Sequence, residues 1–217
     1  MQSKEDIMSE KILSLVDARN TVDAAQYGLS VDLIADFVCP WSYIGQQRLR
    51  NALSAVQGPT RCTWFPFQLN PDMPAGGQPF GEYLEKKFGD RQMLAPAMEQ
   101  LETVAQREGL AMNFERIERV PNTVDAHCLM RQSAVIDQQD ELAKALYSAY
   151  FGFGEDIGSR ELLESIGLQL GFGSRLVRDA FDDKTLRDAV LAEEANARRA
   201  GVVGVPNFLI NRRVFVV

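Results

Sequence analysis

The sequence of 217 residues lacks most features that mark specialised classes of protein. It has one histidine and three widely spaced cysteines, so we expect neither a metal site nor a framework of structural disulfides. Its net charge of −7 argues against nucleic acid as the main partner, because phosphate binding requires a basic surface. No apolar run approaches the roughly 20 residues of a membrane span, so we expect no membrane partner either.

The first 29 residues form a polar extension that is charged throughout. It lacks the apolar core of roughly 7–15 residues that is typical of a secretory signal. We therefore expect a cytoplasmic protein, whose cysteines stay reduced.

The region after this extension predicts a β-α-β unit. Residues 31–38, VDLIADFV, form a short apolar run that is typical of a buried strand. Apolar residues then recur at helical spacing from Leu49 to Val56, and residues 61–67, RCTWFPF, predict a second strand. Parallel strands need such a helical crossover, and Cys39 falls where the first strand meets the helix.

Helical spacing continues from residue 80 to residue 182, after a loop rich in proline and glycine at 68–79. We therefore predict an all-helical insertion domain at 80–182. One more amphipathic helix and two short strands follow, so residues 30–79 and 183–217 are expected to form the other domain.

Cys39 is the residue whose predicted position favours chemistry. The first N–H groups of a helix lack intrahelical partners and carry partial positive charge, which stabilises a thiolate. Pro40 suits the first helical turn. The placement predicts a lowered pKa and a nucleophilic Cys39, although a small buried side chain at a strand end is the alternative interpretation.

A proline near the C-terminus favours the reactive interpretation. The stretch GVPNFLIN places Val205 and Pro206 directly before a predicted strand. If that peptide bond is cis, the neighbouring backbone is free to bind an extended substrate beside Cys39. An ordinary turn proline is the alternative.

Five stretches together resemble a known family: DFVCPWSYIG, WFPFQLNPDMP, PNTVDAHCL, AYFGFGEDI and EEANARRAGVVGVPNFLI. They resemble the DsbA-like thioredoxin-fold superfamily, most closely its FrnE-like branch, which is grouped with 2-hydroxychromene-2-carboxylate isomerases and kappa-class glutathione transferases. The resemblance implies an α/β protein, a thioredoxin fold with an all-helical insertion, and a nucleophilic group at Cys39. It also implies a substrate cleft formed by Pro40, Trp41, Tyr43, Asn122, His127, Val205 and Pro206, with Pro206 in the cis form.

Three features depart from the family pattern. Ser42 stands where FrnE-like proteins carry the second cysteine of C-P-W-C, and Cys128 stands where compared members carry arginine. The chain ends at VFVV, whereas family members continue with a glycine-rich turn and a final helix. We therefore expect the C-terminal part of the thioredoxin-fold domain to be incomplete.

Ser42 narrows the expected function, because a hydroxyl cannot resolve a mixed disulfide. The leading hypothesis is a thiol–disulfide oxidoreductase in which Cys39 is the nucleophile and glutathione or another thiol resolves the adduct. Ser42 would then hydrogen-bond the Cys39 thiolate or simply fill space. Glutathione would then be a co-substrate, with no tightly bound cofactor and no metal, and peptide thiols or disulfides would be further partners.

Several alternatives stay open at this point. The chain could be a glutathione-dependent isomerase or transferase of the hydroxychromene type, or a non-catalytic peptide-binding module. Ser42 could be an engineered replacement of a cysteine, and Cys128 could act as a distant resolving thiol. Asp36 is assigned a structural role, Cys62 a place in the core, and homodimerisation through the insertion is expected by analogy only.

Overall fold

The computed structural model describes residues 28–89, 91–211 and 214–216. Residues 1–27 of the polar extension predicted at 1–29 lie outside the described residues. The strands are β1 Leu29–Ala35, β2 Thr60–Pro66, β3 Gln78–Pro79, β4 Arg119–Val120, β5 Asn207–Ile210 and β6 Val214–Val216. The α-helices are α1 Pro40–Ser54, α2 Phe80–Phe88, α3 Arg91–Arg107, α4 Val124–Ser133, α5 Gln139–Tyr147, α6 Arg160–Gln169, α7 Ser174–Asp182 and α8 Lys184–Arg199. Short 3₁₀ helices at Phe114–Arg116 and Ala134–Ile136 and a π-helix at Ser148–Phe153 complete the elements.

The main sheet has the strand order β2-β1-β5-β6. β1 pairs in parallel with β2, with Leu33 opposite Trp64, and pairs antiparallel with β5 on its other side. β5 and β6, the two short strands predicted near the end of the sequence, pair antiparallel. The last five residues of β1 are all buried, because a central strand is covered on both faces, which explains its nearly continuous apolar sequence. The predicted thioredoxin fold is confirmed, with helix α1 as the crossover between β1 and β2.

Most of residues 80–182 is helical, as the spacing predicts, but this region also contains the short strand β4. Its two residues pair antiparallel with the two residues of β3, which lies just before the region. Gly77, just before β3, has φ +69°, and a Cβ atom there would lie 2.5 Å from the carbonyl oxygen of Val120. Two-residue strands carry no periodic signal, so the prediction of a purely helical insertion is wrong in this detail.

An aromatic cluster joins the sheet to the helices of this region. Phe37, just after β1, stacks on Trp64 of β2 and packs against Tyr147 of α5. Tyr43 of α1 stacks on Tyr147 and on Phe151. All five side chains are buried. The cluster therefore holds the start of α1, where Cys39 lies, against the helical region.

None of the helices within the described residues is both long enough and apolar enough to cross a membrane.

Candidate functional site

Cys39 is the N-cap residue of α1, as the sequence predicts. Its backbone is extended, at φ −93° and ψ 114°, and Pro40 is the first residue of the helix. The Cys39 carbonyl accepts hydrogen bonds from the N–H groups of Ser42 and Tyr43, at 3.1 and 3.2 Å. The Cys39 N–H donates to the carbonyl of Asp36 at 3.2 Å, which closes a tight turn between β1 and α1. The thiol is therefore held at the helix N-terminus by the backbone on both sides.

The Cys39 thiol contacts the chain segment that enters β5. Its Sγ donates to the carbonyl oxygen of Val205 at 3.3 Å, and only 4% of the residue is exposed. The Val205–Pro206 peptide bond is cis. Two segments that are 166 residues apart in sequence therefore meet at the sulfur atom.

Burial raises the pKa of the Cys39 thiol above its ordinary value, so the sequence-based prediction of a lowered pKa is wrong in direction. The Ser42 side chain and the N–H groups of Ser42 and Trp41 act in the opposite sense and lower this pKa. The negative charge of Asp36 adds to the increase. The helix N-terminus does stabilise the thiolate, but removing the sulfur from water costs more.

Ser42 lies directly behind the cysteine and is fully buried. Its hydroxyl has no hydrogen-bond partner of standard geometry among the described residues. It is nevertheless close enough to lower the pKa of both Cys39 and Tyr147, although burial keeps the pKa of Tyr147 well above its ordinary value. The Ser42 hydroxyl is therefore a buried hydrogen-bond donor that stabilises the thiolate form of Cys39.

Asp36 ties the turn before Cys39 to two other parts of the fold. Its Oδ2 accepts from the N–H of Leu69 at 2.7 Å, and its backbone carbonyl accepts from the Tyr147 hydroxyl at 3.2 Å. The Nε2 atom of His127 lies 3.3 Å from Asp36 Oδ1 and 3.2 Å from the carbonyl of Phe67. Because both neighbours are acceptors, Nε2 must carry the ring proton. These contacts fit the structural role assigned to Asp36.

A cavity of about 470 Å³ opens beside Cys39. Cys39, Pro40, Trp41 and Val205 form one end of its wall, and mainly apolar side chains of the helical region form the rest. A volume of this size lies within the range of about 300–1,000 Å³ that is usual for small-molecule sites. The cysteine thus borders a space that can hold a substrate.

The structure brings together only some of the residues that were predicted to form the cleft. Tyr43 is buried in the aromatic cluster, and Pro206 lines a separate apolar groove together with Trp41. His127 is buried beside Asp36, and Asn122 does not line the cavity either.

Asn122 has a local structural role instead. Its Nδ2 donates to the carbonyl of Met73 at 2.7 Å, and its Oδ1 accepts from the N–H of Val124 at 3.0 Å. It therefore caps α4, because the side chain of Thr123, the N-cap residue itself, makes no capping bond.

The structure does not bring Cys128 to the cavity. Cys128 is fully buried in α4, in a small cluster with Val124 and Val190 of α8. Burial raises the pKa of its thiol to about 11. Cys62 in β2 is half-buried and packs against the main core. Neither thiol shares the space that Cys39 faces.

Within the described residues, no group of three or more histidine, cysteine or acidic side chains could hold a metal ion.

With this geometry established, comparison with known proteins identifies the family. A model of the DSBA-like thioredoxin domain matches residues 30–217, so the chain belongs to this family. The chain is similar in structure to a probable DsbA oxidoreductase of Streptomyces coelicolor, with 28% identity, 87% of this chain and 82% of that chain covered, and a TM-score of 0.77.

Two further structures share the fold at lower identity. One is a 2-hydroxychromene-2-carboxylate isomerase, with 17% identity, 82% of this chain and 84% of that chain covered, and a TM-score of 0.64. The other is the cytosolic disulfide reductase DsbM of Pseudomonas aeruginosa with GSH, with 20% identity, 85% and 87% covered, and a TM-score of 0.60. Both of these structures show that the fold is shared.

Proposed function

We propose that the chain is a thiol–disulfide oxidoreductase with one reactive thiol, Cys39. The observation that carries this proposal is the position of Cys39, which caps α1 and borders a cavity of about 470 Å³. Membership of the DSBA-like family and similarity to a probable DsbA oxidoreductase support the same class of reaction.

The reaction has two exchange steps. The Cys39 thiolate attacks one sulfur of a substrate disulfide, the S–S bond breaks, and the other sulfur leaves as a thiolate. The thiolate of glutathione or of another external thiol then attacks the mixed disulfide and releases Cys39. Ser42 cannot perform this second step, and neither Cys62 nor Cys128 lines the cavity. The resolving thiol therefore comes from outside the chain.

The surroundings of Cys39 favour a thiolate that forms during the reaction rather than before it. Burial raises its pKa, so the resting thiol is protonated and donates to Val205. When the proton passes to the solvent, the Ser42 side chain and the N–H groups of Trp41 and Ser42 stabilise the charge. The thiolate that leaves the substrate takes up a proton from water, which balances the proton that Cys39 released.

The partners follow from the same chemistry. We propose that Pro40, Trp41 and the Val205 backbone contact the substrate, because they lie beside Cys39 in the cavity wall. We propose that Ser42 assists at the sulfur, whereas Tyr43, Asn122, His127 and Pro206 hold the site in shape. Glutathione is the proposed resolving thiol, in keeping with the similar DsbM structure with GSH. A reducing compartment such as the cytoplasm would supply it.

The test is reduction of a small disulfide by glutathione, followed by coupling to glutathione reductase and NADPH. The expected result is turnover by the intact chain and by Cys128→Ser, and loss of turnover in Cys39→Ser. Equal rates for the intact chain and Cys39→Ser would contradict the proposal.

A second candidate is a glutathione-dependent isomerase or transferase. The apolar wall of the cavity favours it, since it suits a small organic substrate more than an extended peptide. Glutathione-dependent turnover of a hydroxychromene acid or of chlorodinitrobenzene that survives in Cys39→Ser would establish this second function in place of the first.

A further inference from the structure

The cavity beside Cys39 has one charged side chain in its wall. Among the described residues that line it, Lys87 alone carries a formal charge, and most of the others are aliphatic or aromatic. The exposed rings of Trp41 and Phe88, at 49% and 55% exposure, also belong to this wall. A ligand that fits this space is therefore largely apolar, and a negative charge on it would be stabilised only beside Lys87.

The Lys87 ammonium group is held in position by its neighbours on α2 and in the preceding loop. Its Nζ donates to Asn70 Oδ1 at 2.8 Å and to the Tyr83 hydroxyl at 2.7 Å. It also lies 5.0 Å from the centre of the Tyr83 ring and 5.8 Å from that of Phe88. Two of its three N–H donors are therefore used, and the third remains available.

No carboxylate of the described residues lies within 4.0 Å of Lys87 Nζ. Its positive charge is thus balanced by dipoles and aromatic faces and not by an ion pair. Lys87 is exposed at the cavity wall, so an anionic ligand in the cavity can reach this charge.

Asn70 positions the other two members of the same cluster, because its Oδ1 accepts from both Lys87 Nζ and the Tyr83 hydroxyl. Because lysine only donates hydrogen bonds, the oxygen of the Asn70 amide must face Lys87, which fixes the orientation of the amide. The Asn70 Nδ2 atom is buried and has no partner among the described residues. Asn70 does not line the cavity, so its part is to hold the Lys87 ammonium group in place through Oδ1.

We propose that Lys87, held in position by Asn70 and Tyr83, forms an anion subsite that selects disulfides whose apolar arm ends in a carboxylate. This proposal rests on the thiol–disulfide activity proposed above. The apolar arm occupies the cavity, its carboxylate binds Lys87 Nζ, and its sulfur reaches Cys39. Attack by the Cys39 thiolate forms a mixed disulfide with this arm and releases the other arm as a thiolate. An external thiol then displaces the bound arm and regenerates Cys39.

The probes are 4,4′-dithiodibenzoate and its neutral analogue 4,4′-dithiobis(benzamide). Each rate of release of the thiolate arm is measured by stopped flow and divided by the rate of the same disulfide with free 2-mercaptoethanol, a neutral thiol, which corrects for differences in intrinsic reactivity. Mass spectrometry of the product identifies the modified cysteine. We expect the intact chain to prefer the carboxylate probe by roughly tenfold, the size of one charged hydrogen bond.

Two pairs of variants test the subsite and the cavity separately. Lys87→Gln is expected to abolish the preference for the carboxylate, whereas Lys86→Gln, an exposed neighbour on the same helix, is expected to retain it. Ala97→Trp partly fills the cavity and is expected to slow both aromatic probes, whereas Ala95→Trp, which is exposed and does not line the cavity, is expected to leave both rates unchanged.

The outcomes separate this inference from the function on which it rests. Modification of Cys39 by both probes with equal normalised rates, or an unchanged preference in Lys87→Gln, would overturn the anion subsite and leave the oxidoreductase proposal intact. Absence of Cys39 modification by either probe and by glutathione disulfide would overturn both proposals.

Discussion

Replacing Ser42 by alanine tests the role of the residue that stands where a second cysteine would resolve the adduct. Among the described residues, the buried Ser42 hydroxyl has no hydrogen-bond partner of standard geometry, so its loss costs the resting protein little or stabilises it. The same hydroxyl lowers the pKa of Cys39. A hydrogen bond to a charged group is worth about 1.5–3 kcal/mol, so its loss lowers the thiolate population roughly 10- to 100-fold near neutral pH.

Part of this effect is offset, because a more basic thiolate is also a better nucleophile. With a Brønsted coefficient of about 0.4–0.5, the net rate of reaction should fall roughly 4- to 20-fold. The assay is the alkylation rate of Cys39 by iodoacetamide near pH 7, followed by peptide mass spectrometry. Its control is Ser54→Ala, at the exposed end of the same helix, which should react like the intact chain. Ser42→Ala that is alkylated as fast as the intact chain, with an unchanged urea midpoint, would refute this role of Ser42.

Two further predictions concern stability. Burial raises the pKa of Cys128 from 9.0 to about 11, so the unfolded chain loses this proton first and the free energy of unfolding should fall as pH rises from 9 towards 11. Cys128→Ala should remove about 2–3 kcal/mol of that fall, measured by urea titrations at each pH. An unchanged dependence of the free energy of unfolding on pH would contradict the burial of this thiol. Gly154 has φ +74°, and a Cβ atom there would lie 2.2 Å from the carbonyl of Arg116, whereas Gly171 has φ +83° and no atom within 4 Å. Gly154→Ala should therefore lower the melting temperature clearly more than Gly171→Ala, whose cost is limited to about 1–2 kcal/mol of backbone strain; equal shifts would contradict the close approach.

The sequence predicts those parts of the site that depend on local pattern. The change from an apolar run to helical spacing places Cys39 at the start of α1, and the structure confirms this position. The direction in which the pKa of Cys39 shifts could not be predicted from local pattern, because the residues that remove the thiol from water, such as Val205, are distant in sequence. Family resemblance placed His127 in the cleft, whereas packing turns it towards Asp36 behind the turn.

The anion subsite is a second part of the molecule that no local pattern indicates. Lys87 and Asn70 are 17 residues apart, and each is unremarkable in its own segment. Their meeting depends on how the loop before β3 packs on α2.

The most direct test of the central proposal is a single-turnover experiment with glutathione disulfide, analysed by mass spectrometry of the intact chain and its peptides. A single reactive thiol at Cys39 predicts a glutathione adduct on Cys39 alone, which free glutathione removes, with no disulfide inside the chain. An adduct on Cys62 or Cys128 with Cys39 unmodified, or an internal disulfide that forms as the adduct disappears, would contradict it.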